Sequence, residues 1–375
     1  MPSVRFFSAR LAVLLFAASA WTASAQKGAP PGPIQPLLRE GDSAFRDGDY
    51  AAARQSFEKA LKIAQQLAAE APLRYEVLKR LTSASAAGGQ FADAHSYLDQ
   101  AIQWRESTLG PKDPKIADDL VLAVNLEVRT KEFDRALATA TRVQAMHATA
   151  YTADSIPVAD DLLRIGQIYM LQKQPKLAVR PFIAAHGIRT KLLGSLDPGL
   201  LPVLDRINDA FEAMGGGNAS MYRQALAIRE TLYGVDSPEL ISTIDGLANT
   251  YSKEQMYAAA EPLYLRLVSL WESVGGKDHP MVAVVLDKLV VFYAKEGEIE
   301  RAREALARSV AIRSRFLAVG LSHQAADEIS QNHQEQAKAL YHRALAALGP
   351  SSPANEELIT QIKKALADLQ APATK

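Results

Sequence analysis

Proline recurs along the chain at nearly constant intervals, and this spacing constrains the fold more than any other feature. Six prolines follow one another at intervals of 40 to 43 residues: Pro72, Pro114, Pro157, Pro198, Pro238 and Pro280. Four of them end a similar turn that begins with glycine, as in Gly-Val-Asp-Ser-Pro at 234–238. Glycine favours the end of one helix, Asp or Ser caps the next helix, and proline fits its first turn. The spacing therefore predicts a tandem array of helical repeats.

Apolar residues within each interval follow the period of an α-helix. After Pro238, the residues that share one helix face predict a helix A, and they are Ile241, Ile244, Leu247, Ala248 and Tyr251. A polar turn at 253–256 precedes a second apolar pattern that predicts a helix B. Small residues that let the two helices approach closely recur in register at Ala94, Ala136, Ala178, Ala260 and Ala302. The predicted fold is an all-α solenoid of antiparallel helix pairs.

Two segments of the sequence resemble a known family of repeats. Residues 258–280 (AAAEPLYLRLVSLWESVGGKDHP) and 222–238 (YRQALAIRETLYGVDSP) resemble the longer tetratricopeptide repeats of kinesin light chains. Residues 41–60 resemble the 34-residue tetratricopeptide pattern. The resemblance covers nearly all of residues 37–321. It implies a right-handed superhelical solenoid, with helix A lining a concave face, that binds proteins or peptides.

The repeat pattern divides the chain into segments. Units are predicted to begin near residues 37, 72, 114, 157, 198, 238 and 280, and the array is predicted to span 37–321. Residues 322–370 are predicted to form atypical C-terminal helices that cap the array. Within them, 323–348 is either one helix or a helix broken near Asn332, and 354–370 is an amphipathic last helix. Residues 26–36, rich in Pro and Gly, predict an extended, unpacked leader, and residues 371–375 predict a frayed tail.

The first 25 residues have the order of a secretory signal peptide. Arg5 and Arg10 precede the apolar run 11–21, and Ala23-Ser24-Ala25 fits the rule for a cleavage site. We therefore expect a mature chain that begins at Gln26 and is periplasmic or secreted; an uncleaved anchor is the alternative. No other stretch approaches about 18 uninterrupted apolar residues, so we expect no integral membrane segment in the mature chain.

Several classes of chemistry lack their sequence signatures. The chain has no cysteine, which excludes disulfides, thiolate metal sites and a cysteine nucleophile. Its 42 basic and 42 acidic residues argue against a nucleic-acid partner, which needs a basic excess. No phosphate-binding loop, dinucleotide fingerprint or zinc-binding histidine pair occurs. The pairs Asp118-Asp119 and Asp160-Asp161 lie near the starts of predicted A helices, where the positive end of the helix dipole favours a carboxylate. We expect no enzyme activity, cofactor or metal.

Polar residues on the expected inner face form the candidate site. They recur at equivalent places on successive A helices: Asn125, Arg129, Gln167, Asp209, Asn249, Lys253 and Lys295. Residues four apart share a helix face, so Asn125/Arg129 and Asn249/Lys253 each present an amide beside a cation. An amide can hold a peptide backbone at both its donor and its acceptor, and a cation selects acidic groups. The alternative is an ordinary solvated face.

These patterns favour an exported scaffold that binds a protein or peptide along the face lined by helix A and is not itself catalytic. Two other functions fit the same residues. The chain could be a structural component of a cell-envelope assembly, with its convex face or helix edges making flat contacts. It could also be a hydrolase whose site is assembled between repeats.

Overall fold

The computed structural model describes residues 32–66, 73–350 and 355–370. These described residues contain sixteen α-helices and no β-strand. The helices are α1 (Ile34–Arg46), α2 (Tyr50–Gln66), α3 (Arg74–Ala87), α4 (Phe91–Leu109), α5 (Lys115–Arg129), α6 (Phe133–Ala150), α7 (Ile156–Leu171), α8 (Pro175–Leu193), α9 (Leu201–Ala213), α10 (Ala219–Tyr233), α11 (Ile241–Lys253), α12 (Tyr257–Gly275), α13 (Pro280–Glu296), α14 (Ile299–Ser330), α15 (Gln334–Leu348) and α16 (Glu356–Gln370).

The described residues fall into two compact units, one up to Ile188 and one from Arg189. Within each unit, neighbouring helices pack as pairs joined by short turns, such as α3 with α4 and α11 with α12. The odd-numbered helices from α1 to α13 are helix A of a repeat, and the even-numbered helices from α2 to α14 are helix B. The predicted all-α arrangement of helix pairs is confirmed in both units.

Small side chains lie where helix A and helix B approach each other. The alanines at positions 94, 136, 178 and 260 are fully buried, and Ala302 is 8% exposed. A methyl group at this position leaves room for the partner helix, because protein interiors are close-packed. The alanines that recur in register in the sequence therefore mark the contact that holds each pair together.

The turns between repeats have the predicted glycine at the end of one helix and the predicted capping residue and proline before the next. At the end of α8, Gly194 has a φ of +93°, a conformation that other residues rarely adopt. The Asp197 carboxylate then accepts a hydrogen bond from the backbone N–H of Gly199 at 2.7 Å. Pro198 begins a short 3-10 turn that leads into α9. A glycine with a positive φ also ends helix B at Gly110, Gly234 and Gly276.

The helical array begins earlier than the predicted leader allows. α1 begins at Ile34, and the Ile34 side chain is fully buried in a cluster that includes Phe57 of α2. Pro36 lies in the first turn of α1, where backbone N–H groups have no hydrogen-bond partner within the helix, so a proline is tolerated. Residues 34–36 therefore belong to the first repeat. The predicted signal peptide at 1–25, the rest of the leader up to residue 31 and the tail at 371–375 lie outside the described residues.

The predicted boundary at residue 321 needs correction. α14 runs without interruption from Ile299 to Ser330, so the boundary falls inside a helix. At the place where a corner would occur, the chain reads Ala-Val-Gly-Leu-Ser (318–322), which has neither the proline nor the aspartate of the other corners. The helix ends instead at 331–333, where Asn332 has a φ of +65°. The break near Asn332 is confirmed, and α16 confirms the amphipathic last helix.

Candidate peptide-binding surface

Helix A carries every residue of the predicted site. In the first unit, Asn125 and Arg129 lie on α5 and Gln167 lies on α7. In the second unit, Asp209 lies on α9, Asn249 and Lys253 on α11, and Lys295 on α13. All of these side chains are exposed except that of Asn249, which is half-buried. The structure therefore places two sets of polar groups, one on each unit.

Asn125 and Gln167 occupy equivalent positions, 42 residues apart, on the A helices of successive repeats. Their side-chain amides make no hydrogen bond with any described residue. The residues one turn earlier, Val121 and Leu163, are apolar and offer no local partner. Because each amide has a donor and an acceptor that the fold does not use, each can pair with the backbone of a bound peptide.

Arg129 is held in place without losing its charge to a salt bridge. Its guanidinium carbon lies 5.0 Å from the ring centre of Phe91, the first residue of α4. A cation over an aromatic face is attracted by the negative face of the ring. The contact restrains the long side chain one turn from Asn125, and the guanidinium N–H groups stay available to an acidic ligand.

Asn249 differs from Asn125 because its amide is engaged within its own repeat. Its oxygen accepts a hydrogen bond from the Tyr264 hydroxyl at 3.0 Å. Its nitrogen donates to the Asp245 carboxylate at 3.1 Å. Burial raises the pKa of Tyr264, although a hydrogen bond with the Ser252 side chain opposes that shift, so the phenol stays protonated as the donor. The Asn249 amide therefore already has one partner at its oxygen and one at its nitrogen, whereas the Asn125 amide has none among the described residues.

The remaining charged residues of the second unit are partly engaged. The Lys253 ammonium donates to the backbone carbonyl of Gly215 at 3.1 Å, in the turn that follows α9. The Asp209 carboxylate lies 3.5 Å from the Arg206 guanidinium, one turn earlier on α9. Lys295 makes no hydrogen bond or ion pair with a described residue. Lys295 is thus the cation of this set that is most available to a ligand.

A buried polar contact between repeats escaped the sequence analysis. The Asp119 side chain is fully buried, and it accepts hydrogen bonds from the Tyr75 hydroxyl at 2.7 Å and from Arg105 at 3.0 Å. Burial and the hydrogen bond to Asp119 raise the pKa of Tyr75. Only Asp118 lies exposed in the first turn of α5, as a residue favoured by the helix dipole would. Asp119 instead joins three helices.

The same contact recurs one repeat later with a histidine. The Asp161 carboxylate is buried, 2.7 Å from His147 and 2.8 Å from Arg164. Burial raises the pKa of Asp161, and both of these partners oppose that shift. A signal for these contacts exists in the sequence, because the donor lies fourteen residues before its acceptor in Arg105–Asp119, His147–Asp161 and Arg229–Thr243.

The described residues show no membrane or metal site. None of their helices combines the length and the apolar character that crossing a bilayer requires. Within the same residues, no group of three or more histidine or acidic side chains is arranged to hold a metal ion.

Comparison with known families identifies the repeats. Models of the tetratricopeptide repeat family match residues 34–67 and residues 240–315. The chain is a tetratricopeptide repeat protein. Its fold is accordingly an all-α solenoid of tetratricopeptide helix pairs, as the resemblance implied. A search of curated proteins found no match to the sequence.

Solved structures with similar helix pairs include three proteins. The tetratricopeptide-like repeats of a kinesin light chain from Podosopora anserina are 18% identical over 54% of this chain and 97% of theirs, with a TM-score of 0.43. BtubC from P. vanneervenii is 20% identical over 64% of this chain and 92% of its own, with a TM-score of 0.44. The Rap conjugation gene regulator of plasmid pLS20, in complex with the Phr* peptide, is 13% identical over 80% of each chain, with a TM-score of 0.36. All three TM-scores lie below 0.5, and nothing about the function of this chain follows from them.

Proposed function

We propose that this tetratricopeptide repeat protein is a non-catalytic scaffold that binds a protein or peptide through the face formed by its A helices. In arrays of this family, that face is the concave one. The observation that carries the proposal is the pair Asn125 and Gln167. These amides occupy equivalent places on successive repeats, both are exposed, and neither is used by the fold. A polar group that is exposed and unused contributes little to folding and is available to a ligand.

The chemistry of these side chains describes the ligand. Two amides on neighbouring repeats favour a ligand with regularly spaced backbone N–H and C=O groups, which an extended peptide provides. Arg129, next to Asn125, favours a carboxylate or another acidic group at that place on the ligand. We therefore expect an extended peptide segment with at least one acidic residue.

The test begins with a peptide selected from a random displayed library on the chain from Gln26. Its affinity is then measured for the parent and for the double variant Asn125→Ala with Gln167→Ala. Two lost hydrogen bonds of about 1 kcal/mol each weaken binding by roughly thirtyfold. Gln55→Ala with Gln103→Ala is the matched control, because these two exposed glutamines lie on the B helices α2 and α4. The control should bind as the parent does.

The same titration also distinguishes the proposal from a solvated inner face. Equal affinity of the parent and the Asn125/Gln167 variant would remove both amides from the site. For an acidic peptide, the share of binding that depends on Arg129 should fall as salt rises, since an exposed charge is screened over about 10 Å at 0.1 M. Arg129→Ala should therefore weaken binding more at low salt than at high salt.

Export is a second part of the proposal, and it rests on the basic residues, the short apolar run and Ala23-Ser24-Ala25. The scaffold would then act outside the cytoplasm, where a chain without cysteine relies on packing for its stability. Mass spectrometry of the exported protein should find Gln26 as its first residue. An intact Met1 on membrane-bound material would mean an uncleaved anchor.

A further inference from the structure

An exposed apolar stripe runs along the first five turns of α14. Its members follow one another at intervals of seven, four and seven residues, and they are Ile299, Leu306, Val310 and Leu317. At 3.6 residues per turn, all four side chains project in the same direction to within about 20°. Each is between 48% and 53% exposed. Apolar side chains that are aligned and half-exposed in this way are unusual on a helix that belongs to a packed array.

The preceding repeat shows what this stripe ordinarily contacts. The residues 42 positions earlier, on α12, are Tyr257, Tyr264 and Val268. The rings of Tyr257 and Tyr264 lie 5.5 and 6.5 Å from the ring of Phe292 on α13, and Val268 is buried in the same cluster. The stripe of α14 is therefore the surface on which helix A of a following repeat would pack.

No described residue covers that surface. α14 continues straight past the expected corner, and the returning helix α15 packs against it only from Ala318 onward, where Leu321 and Ala325 join Ala337 and Tyr341 in a separate cluster. α15 has fifteen residues and is about 22 Å long, so it spans only the last half of α14. The half that carries the stripe is left open.

We propose that the stripe binds the same stripe of a second copy of this chain, as an antiparallel helix pair about a two-fold axis. A symmetric contact of this kind requires a self-complementary surface. The spacing of seven, four and seven reads the same in both directions. It therefore brings Ile299 of one copy opposite Leu317 of the other, and Leu306 opposite Val310. This pairing is independent of the peptide-binding surface on the A helices.

The size and charge of the stripe define the kind of dimer. The two arginines that flank the stripe are each paired within the chain, Arg303 with Glu300 at 2.9 Å and Arg313 with Asp287, so they bring little unpaired charge to the contact. Four half-exposed side chains offer on the order of 350 Å² per copy, against about 800 Å² per partner in a standard stable interface. The dimer should therefore be weak and should dissociate on dilution.

Sedimentation velocity over a range of concentrations tests the contact. The parent chain from Gln26 should form a dimer at high concentration, and Leu306→Glu should remain monomeric because two carboxylates would meet at the centre of the pair. Leu265→Glu is the matched control: Leu265 is 45% exposed against 48% for Leu306, and it lies on α12 away from the stripe. The control should dimerise as the parent does. A monomeric parent at every concentration, or a Leu306→Glu variant that still dimerises, would overturn the proposal.

Disulfide cross-linking tests the antiparallel register. The chain has no cysteine, so an introduced thiol is unique. Leu306→Cys mixed with Val310→Cys should cross-link to each other in a glutathione redox buffer, because antiparallel pairing brings these two positions opposite each other. Two copies of the same variant would be offset by about 6 Å along the helix axis, which disfavours the bond. Cross-linking that is equal in the mixed and unmixed samples would contradict the register.

Discussion

The repeats that begin at Pro114 and Pro238 carry the same amide and cation on helix A, but their amides have different surroundings. In the later repeat, Asp245 lies four residues before Asn249 and Tyr264 lies fifteen residues after it, and together they occupy both groups of the amide. The equivalent residues in the earlier repeat are Val121 and Ala140, neither of which can form a hydrogen bond through its side chain. These two other positions therefore decide whether the amide is already hydrogen-bonded within its own repeat.

The cations of the two repeats differ less. Both reach back 38 residues to the turn region of the preceding repeat, where Arg129 contacts the Phe91 ring and Lys253 contacts the Gly215 carbonyl. The contrast is larger at the contact between repeats. Asp119 meets Arg105 as a buried carboxylate, whereas the equivalent Thr243 meets Arg229 as a neutral hydroxyl at 2.8 Å.

The largest expected difference between the two repeats comes from removing these acceptors. Asp119→Ala leaves the Tyr75 hydroxyl without an acceptor and leaves Arg105 with the Lys115 carbonyl but no carboxylate, and breaking such a buried ion pair costs about 3–5 kcal/mol. Thr243→Val should cost only about 1 kcal/mol, because Arg229 keeps its two contacts of 2.7 and 2.8 Å with Asp205. Amide hydrogen exchange, resolved for each helix, measures the loss of stability in both variants. Equal losses would mean that the Asp119 contact is not a buried ion pair in solution.

Sequence spacing predicts the features that one repeat shares with the next, and it misses those that depend on a particular neighbour. The corner at 194–199 and the alanine at position 260 follow from residues within one repeat, so the repeat length suffices to place them. The bond between Tyr264 and Asn249 depends on which side chain helix B directs at helix A. Residues 318–322 lack both the proline and the aspartate of the other corners. Their absence predicts that α14 continues through this segment, whereas the loss of the repeat pattern alone suggests that the array ends there.

The alanine position should behave alike in the two repeats. Ala136 and Ala260 are both fully buried where helix A and helix B meet. Leucine at either position overpacks that contact and should cost about 1–3 kcal/mol. Because repeats stabilise one another through their neighbours, the loss should spread to the adjacent repeats. Thermal unfolding of Ala136→Leu and Ala260→Leu, each against the parent, checks this. A variant that melts like the parent would show that its helix pair does not have the register described above.

The smallest expected difference in stability is between alanine variants of the two asparagines. Asn249→Ala leaves the buried Tyr264 hydroxyl without its acceptor, and an unsatisfied buried donor costs about 1–3 kcal/mol. Asn125→Ala removes an exposed side chain that the fold does not use and should change the free energy of unfolding by no more than about 0.5 kcal/mol. Denaturant unfolding of the two variants gives the comparison directly.

Adding Tyr264→Phe to Asn249→Ala separates the hydrogen bond from other consequences of the asparagine change. The double variant has no orphaned hydroxyl, so it should recover most of the stability that Asn249→Ala loses, whereas Tyr264→Phe alone should cost about 1 kcal/mol. If Asn249→Ala proves as silent as Asn125→Ala, the Tyr264 contact contributes nothing in solution. The amide of Asn249 would then be open to a peptide, and the second unit would offer the same recognition groups as the first.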